Sequence, residues 1–119
     1  MVYRLNDDEL DLVFHALADR TRRHILARLA HEELVISELA RTYDITLVAV
    51  SKHIKVLERA QLVVTNKEGR VHRCTMRFEP LEKASRQIDF YKKFWTKQLD
   101  GLDRYVQQVK KKEKKQRRG

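Results

Sequence analysis

The chain has 119 residues, with 26 Lys and Arg against 17 Asp and Glu and a formal net charge of +9, which is the size of one domain with a modest core that can lean on a partner chain. No apolar run exceeds the four residues Leu47 to Val50, so neither a membrane span nor a hydrophobic leader is expected, and the chain is expected to be cytoplasmic. A lone cysteine, Cys74, excludes an internal disulfide and any multi-cysteine zinc site, while three Gly and one Pro favour long helices.

In chain order, acidic residues gather in a first helical turn that starts at Asn6 or Asp7, and Leu10, Val13, Phe14 and Leu17 then recur at helical spacing. Asp19 can cap a second helix whose apolar face is Ile25, Leu26 and Leu29, with Arg20, Arg22, Arg23 and Arg28 read as a solvated face. A short extended piece, Leu34 to Ile36, leads to Ser37 at the N-cap of a short third helix. Tyr43 and Asp44 break that helix, and Thr46 caps a fourth whose buried stripe is Val50, Ile54 and Leu57. Two helices joined by so short a turn make a helix-turn-helix.

After Ala60 the pattern turns strand-like. Leu62 to Thr65 and Val71 to Met76 flank a polar loop, Asn66 to Arg70, with Gly69 inside it, which reads as a hairpin. Pro80 opens a long last helix in which Leu81, Ile88, Trp95, Leu102 and Val109 recur every seven residues, flanked by Ala84, Tyr91, Leu99 and Tyr105. Such a seam wants a partner helix. The predicted fold is mainly α with a small β-hairpin, a winged helix-turn-helix over residues 1–109. Residues 110–119 form a basic tail, and the charge of +6 that positions 110–118 carry predicts disorder there.

Charge placement points to a polyanion. From Lys52 to Arg73 there are six cations, Lys52, Lys55, Arg59, Lys67, Arg70 and Arg73, against Glu58 and Glu68. Thr46, Leu47, Ala49, Ser51, Lys52, His53 and Lys55 lie largely off the buried stripe of the fourth helix. There Ser51 and His53 are expected to meet base edges, and Lys52 and Lys55 phosphate. Lys67 and Arg70 at the hairpin tip are expected to reach phosphate or an adjacent minor groove. No glycine-rich phosphate loop or nucleophile motif supports an enzyme. His72 and Cys74 could offer two ligands to a soft metal, which is an incomplete site. His15, His24 and His31 read as ordinary partly buried histidines, and Phe90, Tyr91, Phe94 and Trp95 as packing.

Phe14 through Leu26, with its Asp19-Arg20-Thr21-Arg22-Arg23 core, then Glu38-Leu39-Ala40, then Ala49 through Ala60 with Ser51-Lys52-His53, resemble the ArsR/SmtB family of repressors. The last helix, with Phe90 to Trp95 and Leu99 to Leu102, is similar to the SdpR-type branch. The resemblance covers about residues 9 to 107. It implies a winged-helix homodimer that binds an inverted-repeat operator in double-stranded DNA and represses transcription. The first and last helices would form the interface, through Leu10, Val13, Phe14, Leu81, Ile88, Tyr91, Trp95, Leu102 and Tyr105. Val35 and Ser37 stand where metal-sensing relatives carry cysteine thiolates, and the last helix has no His, so no metal and no cofactor are expected. The effector would be a small molecule or a protein. Two departures fall at helix boundaries: Arg20 where the family usually has Pro, and Gln61 where it usually has Gly. Leu47 replaces a frequent Gln, so base preference does not transfer. A non-catalytic protein- or RNA-docking module with sequence-blind electrostatic binding is the competing reading, separated from the first by preference among duplexes.

Overall fold

The computed structural model describes residues 7–118; Asn6 and Gly119, named above, lie outside them. Five helices and three short strands follow in the order α1 (Asp7–Leu17), α2 (Arg20–Leu29), β1 (Leu34–Val35), α3 (Ile36–Tyr43), α4 (Leu47–Arg59), β2 (Val63–Glu68), β3 (Val71–Met76) and α5 (Glu79–Arg118). The strands form one antiparallel sheet in the order β1-β3-β2. The expected winged helix-turn-helix is therefore present, with a third strand that the hairpin reading did not include.

The chain falls into two compact units. One compact unit ends at Ser85 and a second begins at Arg86. The first holds the core: Leu10, Val13 and Ala16 of α1, Ile25, Leu26 and Leu29 of α2, Ile36 and Leu39 of α3, and Val50, Ile54 and Leu57 of α4. Leu34, Leu62, Val63, Cys74 and Ala84 close it. The α2 and α4 positions are the apolar stripes read from the sequence; in α1 Ala16 takes a core place while Phe14, read as part of the stripe, is exposed, and burying each Leu, Ile or Val contributes about 1.5–3 kcal/mol.

The second unit has no core. Every described side chain from Ile88 to Lys115 is exposed. Its helix continues through Arg118, across the basic segment whose charge predicts disorder. Lys, Glu, Gln and Arg are good helix formers and no Gly or Pro interrupts the segment, so intrinsic preference opposes the self-repulsion.

Local chemistry sets the boundaries. Asp19 caps α2 by accepting from the Arg22 N–H at 3.0 Å, and Thr46 caps α4 by accepting from the Ala49 N–H at 3.1 Å, both as the sequence predicts. Ser37 does not cap α3. Val35 holds the N-cap with no side-chain bond, because β1, pairing Leu34 with Cys74 and Val35 with Arg73, runs straight into the helix and carries Ser37 into its first turn. The wing strands extend further than predicted, to a pairing of Glu68 with Val71. Only Gly69 and Arg70 remain as the turn, and Gly69 takes the left-handed φ of 61°.

Two other residues are left-handed, Asp44 at φ 51° and Gln61 at φ 59°. Each closes a helix in the same way. After α3, the Asp44 and Ile45 N–H groups donate back to the Arg41 and Ala40 carbonyls. After α4, the Gln61 and Leu62 N–H groups donate to Glu58 and Leu57. Gln61 stands where the resembled family has Gly, and glycine enters this conformation without the steric cost of a Cβ. Gln61→Gly should therefore stabilise the chain by about 0.5–1 kcal/mol, read as a higher midpoint in guanidinium unfolding; a lower midpoint would refute the strain.

Candidate nucleic-acid interface

With Val50, Ile54 and Leu57 fixed inward, the 100° step of the helix turns Val48, Lys52, Lys55 and Arg59 outward, while Leu47, about 60° from Val50, is bare because it opens the helix. All five are exposed, Leu47 at 54% and Val48 at 65%. Two bare apolar side chains at the front of a helix and three cations behind them suit a groove, where apolar groups meet thymine methyls and cations meet phosphate. Val48 was not among the expected contacts. Carrying the helical step outward from Val50 would have found it, since Val48 lies 200° from that buried position.

The other expected contacts sort differently. Thr46 is exposed, with its hydroxyl oxygen holding the cap. Ala49 and Ser51 are half-buried on the flanks of α4. At the wing, Lys67 pairs across the strand with His72, and Arg70 occupies the turn; both cations are exposed. Neither has an ion-pair partner among the described residues, whereas Arg73 is 3.7 Å from Glu68.

His53 departs most from expectation. Its side chain is 23% exposed and faces the start of α2, with Nδ1 3.8 Å from Asp19 Oδ2 and 3.3 Å from Arg22 Nη1. Arg22 also donates through Nε to the Ala16 carbonyl at 2.8 Å and through Nη2 to the His15 carbonyl at 2.9 Å. Arg23 donates to the Leu17 carbonyl at 2.8 Å. The two arginines thus serve carbonyls at the end of α1; Arg22 is half-buried there, while Arg23 remains exposed as the sequence predicts. His53 is held against that end, on the flank of α4 away from a reading face.

The remaining candidates are placed plainly. Cys74 is fully buried, its Sγ 3.6 Å from the Thr65 hydroxyl, and burial pushes its thiol above the ordinary value, which disfavours the thiolate a metal needs. His15, His24 and His31 are exposed rather than partly buried, and no group of three or more His, Cys, Asp or Glu gathers among the described residues. Leu10 and Val13, expected at a two-chain interface, lie inside the core at 7% and 3% exposure, because they occupy the face of α1 turned to it. Leu12 and Phe14 are the exposed large apolar residues of α1. Leu81 packs partly against the core, while Ile88, Tyr91, Trp95, Leu102 and Tyr105 are all exposed.

Asp19 connects this arrangement to pH. The Arg22 N–H holds its carboxyl below the ordinary value of 3.8, helped by the positive side of His53 and Arg22 and opposed by partial burial. A depressed carboxylate stabilises the fold fully above its unfolded pKa and loses that contribution as pH falls through the lower folded value. Asp19→Asn keeps an acceptor and removes the charge. The melting-temperature gap between the two proteins should be constant above pH 5 and close below pH 4; a gap unchanged to pH 2 would show the charge to be idle.

Comparison with known proteins agrees with this geometry. A family profile described as a helix-turn-helix domain matches residues 17–66. The HTH-type transcriptional regulator Rv2034 of Mycobacterium tuberculosis is 42% identical over 96 residues, 81% of this chain and 87% of that protein. The arsenical resistance operon repressor of Staphylococcus xylosus is 30% identical over 81 residues, 68% of this chain and 78% of its own length. A crystal structure of the ArsR family transcriptional regulator RHA00566 superposes with a TM-score of 0.72 at 36% identity, covering 76% of this chain and 93% of that one. Fold, identity and coverage agree, and the chain belongs to the ArsR family of winged helix-turn-helix transcriptional regulators.

Proposed function

We propose that this regulator is a homodimeric repressor that binds an inverted repeat in double-stranded DNA. The observation that carries the reading is the exposed surface of α4, apolar at Leu47 in its first turn and at Val48, and cationic at Lys52, Lys55 and Arg59, set in a winged helix whose tip offers Lys67 and Arg70. On this reading α4 lies in the major groove, with Leu47 and Val48 against base methyl groups and Lys52 and Lys55 on phosphate. The wing then follows the adjacent minor groove. The name of the similar arsenical resistance operon repressor supports repression as the outcome. Val35 and Ser37 give no thiolate at the start of α3, which favours a small molecule, a partner protein or protein level as the trigger.

Two-fold assembly rests on the last helix. Ile88, Trp95, Leu99, Leu102, Val106 and Val109 fall within one stripe of α5 and are all exposed. A row of that size in water favours a second copy. Trp95, 60% exposed, contributes the largest area, so Trp95→Ala should weaken the dimer at least tenfold while leaving the monomer's fold intact. Sedimentation equilibrium of the two proteins tests this, and a wild-type chain that runs as a monomer at micromolar concentration would defeat it.

Recognition is tested on a duplex selected by the full-length chain from a random pool. Val48→Ala removes two methyl groups from the reading face. It should lower the preference for the selected duplex over random DNA by about 1 kcal/mol, roughly fivefold. Lys67→Ala should weaken both duplexes alike and flatten the salt dependence by about 0.9 in log–log slope. A preference untouched by Val48→Ala, or a Lys67→Ala loss confined to the selected duplex, would reverse the roles given to the helix and the wing.

A further inference from the structure

One cleft in the first unit lies between the opening of α3, the first turns of α4 and the wing, and its polar lining consists of Ser37, Ser51, Arg70 and His72. Leu47 forms part of its wall. The lining holds two hydroxyls, a guanidinium and an imidazole, with no carboxylate among them. None of these four side chains has a hydrogen-bond or ion-pair partner among the described residues, although Ser51 and His72 are half-buried. By contrast, Arg22 and Arg23 of the same unit are engaged on carbonyls, and Arg73 and Arg77 lie beside carboxylates. Four unspent polar groups of this kind around one opening suit a compact oxyanion.

Its position says which one. A recognition helix in a major groove and a wing in the neighbouring minor groove straddle the sugar-phosphate strand that separates the two grooves. The walls of the cleft are those two elements, Leu47 and Ser51 from α4, Arg70 and His72 from the wing. We infer that the cleft is a seat for a single backbone phosphate of that intervening strand, with Arg70 as its charge and Ser37, Ser51 and His72 as hydrogen-bonding groups. This rests on the DNA reading above and changes one part of it: Ser51, expected from the sequence to meet a base, serves a phosphate, as does Ser37, which carried no such expectation. The contact is sequence-blind and fixes the register of α4 on the duplex.

The test uses the full-length chain and its selected duplex, with each phosphate in turn replaced by a neutral methylphosphonate. One position should weaken wild-type binding and have little further effect on Arg70→Ala, because that charge pair is already gone. Arg70→Ala should also lower the log–log salt slope by about 0.9. Ser37→Ala should weaken selected and random duplexes equally, several-fold, and the Ser37→Ala/Arg70→Ala pair should lose less than the product of the single losses. Both residues are exposed, and matching thermal melts establish that the variants fold. Methylphosphonate effects unchanged by Arg70→Ala, or Ser37→Ala and Arg70→Ala losses that simply multiply, would overturn the seat while leaving DNA binding standing. Micromolar binding of inorganic phosphate that Arg70→Ala abolishes, with the duplex salt slope unaltered, would overturn it in favour of a free anion. A chain that selects no duplex at all would overturn the proposed function first and the seat with it.

Discussion

Arg22 closes the open end of α1, and the placement of the recognition helix follows from that contact. A helix of 11 residues leaves its last carbonyls without partners inside the helix, and here the Ala18 N–H serves only that of His15. One guanidinium donates to two of these carbonyls, and its remaining nitrogen lies beside His53 of α4. The N–H of the same residue is capped by Asp19, whose carboxylate also faces His53. Three helices thus share one polar junction around an apolar core. An arginine suits the place better than a lysine, since only a planar fork can serve carbonyls and a ring nitrogen at once.

Much of this fold was legible in the sequence because its rules are local. Apolar residues at helical spacing marked the buried stripes of α2 and α4 and most of that of α1, and Asp19 and Thr46 marked two helix starts that the structure closes with their side chains. Ser37 misled because a capping residue is a local signal, whereas the start of α3 is set by pairing of β1 with β3, nearly forty residues downstream. His53 misled for a related reason. Its position off the buried stripe is real, but the flank of α4 that it occupies is covered by α2, and helical periodicity does not say which neighbour covers a flank. Leu10 and Val13 show the converse: the spacing of α1 identified an apolar face without saying whether the chain's own core or a second copy would take it.

The two compact units carry different kinds of stability. Up to Ser85, apolar side chains are spent on one another. From Ile88 to Val109 every apolar side chain is exposed, so the helix there rests on propensity and contacts along its own surface such as Phe90 with Tyr91, and helices without tertiary packing are marginal in water. In the proposed dimer, association of two such helices would supply the missing packing, and dimer formation and helix ordering would then be one linked equilibrium. In that proposed dimer the basic end of the helix would add a repulsion between copies that salt relieves.

Because β1 runs into α3 without an intervening loop while pairing with β3, the wing and the helix-turn-helix share a continuous hydrogen-bonded backbone. A wing joined by a flexible linker could follow any duplex; this one holds a set spacing from α4. In the proposed complex the protein therefore compares that spacing with the width of the groove beside its site, and stretches of DNA that must be narrowed or widened to match are disfavoured by their stiffness. Base pairs that no side chain touches would then count toward the choice of operator through their flexibility.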